Sequence, residues 1–299
     1  MRKIGTSKFD LQKYNANITD YLGVTTFWTV LQSEKVHGDA EAMLVANGID
    51  GAWLPAVTQK TAFKRAGDEI GNVKADGKAR FVRKIVDDAQ KTVIGIVRES
   101  ISRSKEKLSY KQEVTCTLNK ESGKVSVEAT KEQEDIAQEF VQKFERLKKV
   151  VTDYDIRAMI RDVIGTLNGV ALRETGGFYF IPRDKVETIV KLDKFLRGLG
   201  VGKMYILHMQ DSEVSREVAW ESLEEEMEKR IEKILEAVDK IEERAACLDN
   251  QEEKLAEAKK VMEEYAKLTE CETQAEAIRE RFEEAEKKIA EKIATMQKA

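Results

Sequence analysis

The sequence predicts an α+β protein that ends in a long helical arm, and three observations predict it. Tyr21–Leu31, rich in Thr, Val and aromatic residues, has strand character, and strand signals recur at Lys91–Arg98 and Lys203–Met209. Segments with apolar residues at helical spacing lie between them. From Ser212 onward the strand signals stop, and apolar residues recur every seven positions in a strongly charged background.

Residues 1–130 read as a mixed α/β N-terminal body. After the strand at Tyr21–Leu31, Asp39–Asn47 reads as a short helix that Gly48 can end in a left-handed conformation. Gly51-Ala52-Trp53-Leu54-Pro55 is an apolar loop, and Thr58–Ile70 resumes a helix. A strand at Lys91–Arg98 precedes a hairpin over Lys107–Ala129. Val114, Cys116 and Leu118 alternate on its first half, and Val125, Val127 and Ala129 on its second. The turn joining them, residues 119–123, holds Gly123.

Residues 131–210 read as a small α+β domain. Ile136, Phe140, Phe144 and Leu147 give a helix over Glu132–Val150 one buried face. Thr152 to Asp155 has the form of a helix cap and opens a helix to Leu167. Val170–Ile181 is a glycine-tipped β-hairpin turning at Gly176-Gly177. Pro182 starts a helix to Leu196, and Lys203–Met209 is a final strand. Two helices followed by such a hairpin loosely resemble a winged-helix layout.

Residues 211–299 form the arm. Trp220, Met227, Ile234, Ile241, Leu248, Leu255 and Met262 make a d-type seam of seven positions. At the matching a positions Ile231, Val238 and Ala245 are suitable, whereas Glu252 and Lys259 are charged. A second seam, Ile278, Phe282, Ala285, Ile289 and Met296, runs out of phase with the first. A helix break is therefore expected near 269–273, where Thr273 and Glu276 have capping-box form, with a softer break at Asp249-Asn250. One long helix with one returning helix is preferred over an unbroken coiled-coil rod, because a hairpin buries its seams on itself. The seam is also the expected surface for self-association or for a helical partner.

Charge and composition narrow the function classes. The chain has 51 Lys and Arg against 55 Asp and Glu, a net charge of −4, unevenly spread. Residues 211–299 hold 16 basic and 27 acidic residues, so the arm is at −11 and the rest at +7. That asymmetry favours an anionic partner for the body, or contact between body and arm. No apolar run approaches the ~20 residues of a bilayer span, and no apolar stretch follows the basic N-terminus, so no membrane partner and a cytoplasmic location are expected. Cys116, Cys247 and Cys271 share no metal-binding spacing and read as reduced thiols.

The chemical motifs are sparse. No phosphate loop, dinucleotide fingerprint, nucleophile elbow or H-E-x-x-H spacing occurs. His37 reads as a loop or cap residue and His208 as a core or edge histidine. No catalytic residue, cofactor or metal is expected. A weak basic set, Arg157, Arg161, Arg173, Arg183 and Lys185, offers a nucleic-acid surface, blunted by Asp153, Asp155, Asp162, Glu174 and Asp184 between them. Phe178 and Phe180 hint at base stacking, although their alternation fits a core face better.

Two segments carry a resemblance. One is Leu44-Val45-Ala46-Asn47-Gly48-Ile49-Asp50, then Leu54-Pro55 and the helix with Ala62-Phe63-Lys64-Arg65-Ala66. The other runs Leu172-Arg173-Glu174-Thr175-Gly176-Gly177-Phe178-Tyr179-Phe180-Ile181-Pro182 and leads into a helix, a strand and a long acidic helix. Together they resemble an uncharacterised family of prokaryotic and viral proteins met in phages and other mobile elements. The resemblance implies a cytosolic protein encoded by a phage or mobile element. It implies no reaction and no ligand.

The leading expectation is a non-enzymatic interaction protein whose helical arm mediates oligomerisation or partner docking. An inhibitor of a host defence protein is one variant of it. A nucleic-acid-binding regulator using the basic middle domain is the alternative. An enzyme with a carboxylate- or metal-based site is a third class, to be revived by convergent acids in a cleft.

Overall fold

A computed structural model describes residues 20–71, 74–75, 78–101, 108–173, 177–241 and 245–296. In chain order the strands and helices are β1 (Tyr21–Val30), β2 (Glu34–Val36), α1 (His37–Ala46), α2 (Gln59–Gly71), β3 (Lys74–Ala75) and β4 (Lys78–Asp87). Then come β5 (Lys91–Ile101), β6 (Leu108–Asn119), β7 (Val125–Ala129), α3 (Glu134–Leu147), β8 (Val150–Thr152) and α4 (Asp153–Thr166). The chain closes with β9 (Val170–Ala171), β10 (Tyr179–Pro182), α5 (Val186–Gly198), β11 (Gly202–Gln210), α6 (Glu213–Asp239), α7 (Ala245–Thr269) and α8 (Glu272–Met296). The α+β class expected from the sequence is the class observed.

Contacts group the chain into two units that are not consecutive. One comprises Met1–Leu31, Asn47–Ile49 and Ile160–Ala299; the other comprises Gln32–Ala46 and Asp50–Met159. This differs from the three consecutive segments expected at 1–130, 131–210 and 211–299. The reason is strand pairing: β1, from the first segment, lies between β10 and β11, from the second. We call the first group the split-sheet unit and the second the inserted unit.

The inserted unit is built on a five-stranded antiparallel meander in the order β3-β4-β5-β6-β7. The hairpin read at Lys107–Ala129 is its β6–β7 pair (Lys107 itself lies outside the described residues), whereas β4 had no counterpart in the sequence reading. Helices α2 and α3 pack on one another, α2 over β4 and β5 and α3 against β7. Their core joins Phe63, Phe140 and Phe144 to Ile96, Cys116 and Leu118. Phe63 meets Phe140 edge-on with ring centroids 5.2 Å apart. A separate two-stranded ribbon pairs β2 with β8, Lys35 opposite Val151.

The split-sheet unit has the element order β1, α4, β9, β10, α5, β11, with strands arranged β11-β1-β10-β9 and all neighbours antiparallel. That is the split βαβ arrangement of ferredoxin-like sheets. It replaces the winged-helix layout, because the hairpin read at Val170–Ile181 is no free wing. Its β10 strand is an inner strand paired with β1, Val24 opposite Ile181. Gly177 turns this hairpin at φ +61°, a conformation that glycine adopts without strain; Gly176 lies outside the described residues. Helix α5 packs on β11 and β1, and Asp193 on it accepts a 2.9 Å hydrogen bond from the Met204 amide.

The arm is three helices rather than two. Helix α6 ends at Asp239 and α7 starts at Ala245, with 242–244 outside the described residues. A break falls at 270–271, so the break expected near 269–273 is present and the one at Asp249-Asn250 is absent, inside α7. Glu270 reaches φ +57° at the second break, and α8 begins at Glu272, one residue before the expected cap. Ion pairs give the directions. Arg216 at the start of α6 meets Glu270 just after α7, and Arg279 on α8 meets Glu263 on α7 at 2.7 Å, so both neighbouring pairs are antiparallel. Lys288 on α8 meets Asp239 at the end of α6 at 2.9 Å, so those two helices run the same way.

All seven seam residues point into this bundle. Trp220, Met227, Ile234, Leu248, Leu255 and Met262 are buried, and Ile241 is half-buried, in one core shared by α6, α7 and α8. The same core continues to Leu22, Val170 and Phe180 of the split sheet. Tyr265 makes the joint: its ring meets Phe180 edge-on and its hydroxyl donates a 2.6 Å hydrogen bond to the Asn168 carbonyl. No described helix is long and apolar enough to cross a membrane.

Candidate nucleic-acid interface

A concentration of cationic side chains lies at one end of the inserted unit's meander, and strand register creates it. Arg80 on β4 faces Arg98 on β5, and Arg98 faces Lys111 on β6. Antiparallel partners project to the same face, so three cations from positions 18 and 13 residues apart in the chain form one row. Lys84, opposite Ile94, lies further along β4 on the same side, separated from the row by Val82, which Gly67 and Gly71 of α2 cover. Lys84 and Lys111 are exposed, while Arg80 and Arg98 are half-buried.

A β-bulge supplies the carboxylate that holds the row together. Ile96 pairs with Val114 and Val97 with Gln112, which leaves Glu113 as the extra residue on β6. Glu113 is 4% exposed. Arg80 Nε donates to its carboxylate at 3.1 Å, and Arg98 makes a second ion pair with it. One carboxylate against Arg80, Arg98 and Lys111 leaves the row with a surplus of positive charge. The opposite face carries Phe81 with the Arg83 guanidinium 5.5 Å from its ring centroid, and Tyr110, 59% exposed. The Tyr110 phenol is raised above its ordinary pKa by its hydrogen bond with Glu99.

These residues belong to a stretch with a signal of its own. Residues 74–113 contain eleven Lys and Arg against six Asp and Glu. The model of DUF6744, a family of unknown function, matches residues 21–298. The chain belongs to DUF6744. No curated protein and no solved structure matches it. The family places no known reaction on this DUF6744 chain, so any function rests on its geometry.

The five basic residues singled out in the sequence are divided between the two units. Arg157 falls in the inserted unit and pairs with Asp153. Arg161, Arg173, Arg183 and Lys185 fall in the split-sheet unit. Of these, Lys185 pairs with Asp184 at 2.8 Å and Arg183 lies 4.6 Å from the Tyr21 ring centroid. Arg161 and Arg173 are exposed. The acids interleaved in the sequence therefore neutralise part of the set, as their spacing implied.

The proposed partner seam is likewise accounted for inside the chain. Trp220, Met227, Ile234, Ile241, Leu248, Leu255 and Met262 cannot face a second molecule while they fill the bundle core. His37 Nδ1 stands 3.7 Å from Glu41, and burial holds His208 below the usual histidine pKa beside the Tyr21 ring. Cys116 is buried and its thiol is pushed up to about 12, Cys271 is buried, and Cys247 is exposed. Among the described residues no group of three or more His, Cys, Asp or Glu side chains is placed to hold a metal ion.

A polar cleft of about 340 Å³ in the inserted unit is lined by Glu34, Arg65, Asp68, Glu69, Thr152 and Asp153 among others. Its charges largely satisfy one another. Arg146 bridges Glu34 and Glu69, and Lys143 meets Glu69 at 2.9 Å. Arg65 clasps Asp155 with two hydrogen bonds of 2.8 and 2.6 Å, while the Thr152 amide and hydroxyl add two more. Burial alone would raise the Asp155 pKa; the guanidinium and the Thr152 donors outweigh it and hold the carboxyl below its ordinary value. Its contribution to stability is complete above the unfolded value, about 4, and is lost as pH falls through the lower native value. Asp155→Asn is expected to cost about 2 kcal/mol at neutral pH. Urea unfolding of the variant and parent should converge as the medium is acidified; parallel curves across that range would refute the assignment.

Proposed function

We propose that this DUF6744 protein is a non-enzymatic nucleic-acid-binding protein whose phosphate contacts come from the basic end of the five-stranded meander. The observation that carries the reading is the cross-strand row Arg80, Arg98 and Lys111, with exposed Lys84 further along β4. Phosphate binding needs cations fixed on a rigid element, and guanidinium and ammonium groups on neighbouring strands of one sheet supply them. The strongly acidic bundle, at −11 over residues 211–299, is the part of the chain least suited to the same ligand. The setting is the one the resemblance implies, a cytosolic protein encoded by a phage or mobile element.

The test reverses the two exposed charges and leaves the Glu113 clamp intact. Lys84→Glu with Lys111→Glu should weaken binding of labelled DNA and RNA about tenfold at low salt. It should also reduce the slope of log affinity against log salt by about two. Absence of binding to either nucleic acid at low salt, or an unchanged affinity in the folded double variant, would overturn the reading. The seam expected to mediate docking through the C-terminal helices is internal.

A further inference from the structure

Among the described residues, only half of the open face of the split sheet is covered. Register places Phe27, Tyr205 and Phe180 on one face, with Phe178 two residues before Phe180 on the same side. Phe180 is fully buried beneath Tyr265 of the bundle. The other half of the face is not. There Phe27 of β1 sits between Phe178 and Tyr205, with ring centroids 5.7 and 4.5 Å away, and all three rings are only half-buried. Leu207 on the same face is 44% exposed.

Positive charge stands beside this row. The Lys203 ammonium lies 4.4 Å from the Tyr205 ring centroid. Hydrogen bonds from Lys203 and Thr29, with the nearby charge of Arg197, hold the Tyr205 phenol below its usual pKa. Rings on neighbouring strands beside a lysine match a ligand that is flat and π-rich along one edge and anionic along the other. An unpaired nucleotide strand has that chemistry; a duplex hides its bases in the stack.

We propose that this half-face receives the bases of a single-stranded nucleic acid, so that the protein distinguishes single strands from duplexes. The proposal rests on the nucleic-acid reading above and names its ligand class. Cross-strand aromatic pairs also stabilise sheets, so a purely structural role predicts lost stability with unchanged ligand preference.

The experiment compares a mixed-sequence oligonucleotide, single-stranded and as its duplex, by fluorescence anisotropy with the full chain. Single-strand binding should be the tighter, and Phe27→Leu with Tyr205→Leu should weaken it about tenfold while leaving duplex affinity unchanged. Tyr205→Phe, which keeps the ring, should retain single-strand binding. Equal affinity for both forms, or full single-strand affinity in a folded Phe27→Leu/Tyr205→Leu protein, would overturn the proposal. If Lys84→Glu/Lys111→Glu weakens both forms and the ring variants change neither, the basic-end reading stands and this inference falls. If no nucleic acid binds at low salt, both fall.

Discussion

Replacing Leu255 by alanine is expected to lower the unfolding free energy by about 3 kcal/mol and to leave the mass of the protein in solution unchanged. Leu255 is 1% exposed and lies on the middle helix of the bundle, within the core shared by α6, α7 and α8. Truncating it removes apolar contacts and leaves a cavity that neighbouring helices close only in part. A seam serving a second chain would behave differently, because the same change would shift an association equilibrium. Urea unfolding with light scattering over a range of protein concentrations separates the two. A concentration-dependent mass that drops in Leu255→Ala would return the seam to an intermolecular role.

Glu113→Gln should act with opposite signs on stability and binding. The buried carboxylate satisfies Arg80 and Arg98, so its neutralisation leaves two guanidinium groups sharing an amide. Loss of a buried ionic partner costs about 3 kcal/mol, moderated here because both arginines keep some contact with water. The same change adds one unit of positive charge to the proposed phosphate surface and should tighten binding of nucleic acid at low salt. Thermal unfolding and anisotropy on one preparation check both. A variant that is less stable yet binds no more tightly would show that the clamp serves the fold alone.

The contrast between these two sites shows what the sequence made legible. The bundle was readable because its signal is local: a seven-residue apolar period and a phase change at 269–273 mark helices whatever they pack against. Its third helix was not, because the period of Ile234, Ile241 and Leu248 runs undisturbed from the end of α6 at Asp239 to the start of α7 at Ala245. Strand β4 is not legible in the sequence because Arg80, Arg83 and Lys84 interrupt the apolar alternation and a bulge at Ile85 shifts its phase.

The candidate sites were hidden for a related reason. Arg80, Arg98 and Lys111 are unremarkable singly and become a row only through the pairing of three strands. Phe178 and Phe180 alternate in the sequence, and one of them is indeed core. The other finds its neighbours, Phe27 and Tyr205, on strands whose sequence positions lie far from it. The excess of eleven basic over six acidic residues in 74–113 was the one usable signal, masked by averaging over the whole body.

The insertion between β1 and the remainder of its sheet has a consequence for how the chain is made. Thr26 pairs with Tyr179 and Tyr21 with Gln210, so β1 must await partners encoded more than 150 residues later. At ordinary elongation rates that is a delay of about 10 to 40 seconds. The meander of the inserted unit, whose strands pair with their sequence neighbours, can close meanwhile. Until then β1, with Phe27 and Trp28 uncovered, is a segment for which a nascent chain needs protection from aggregation.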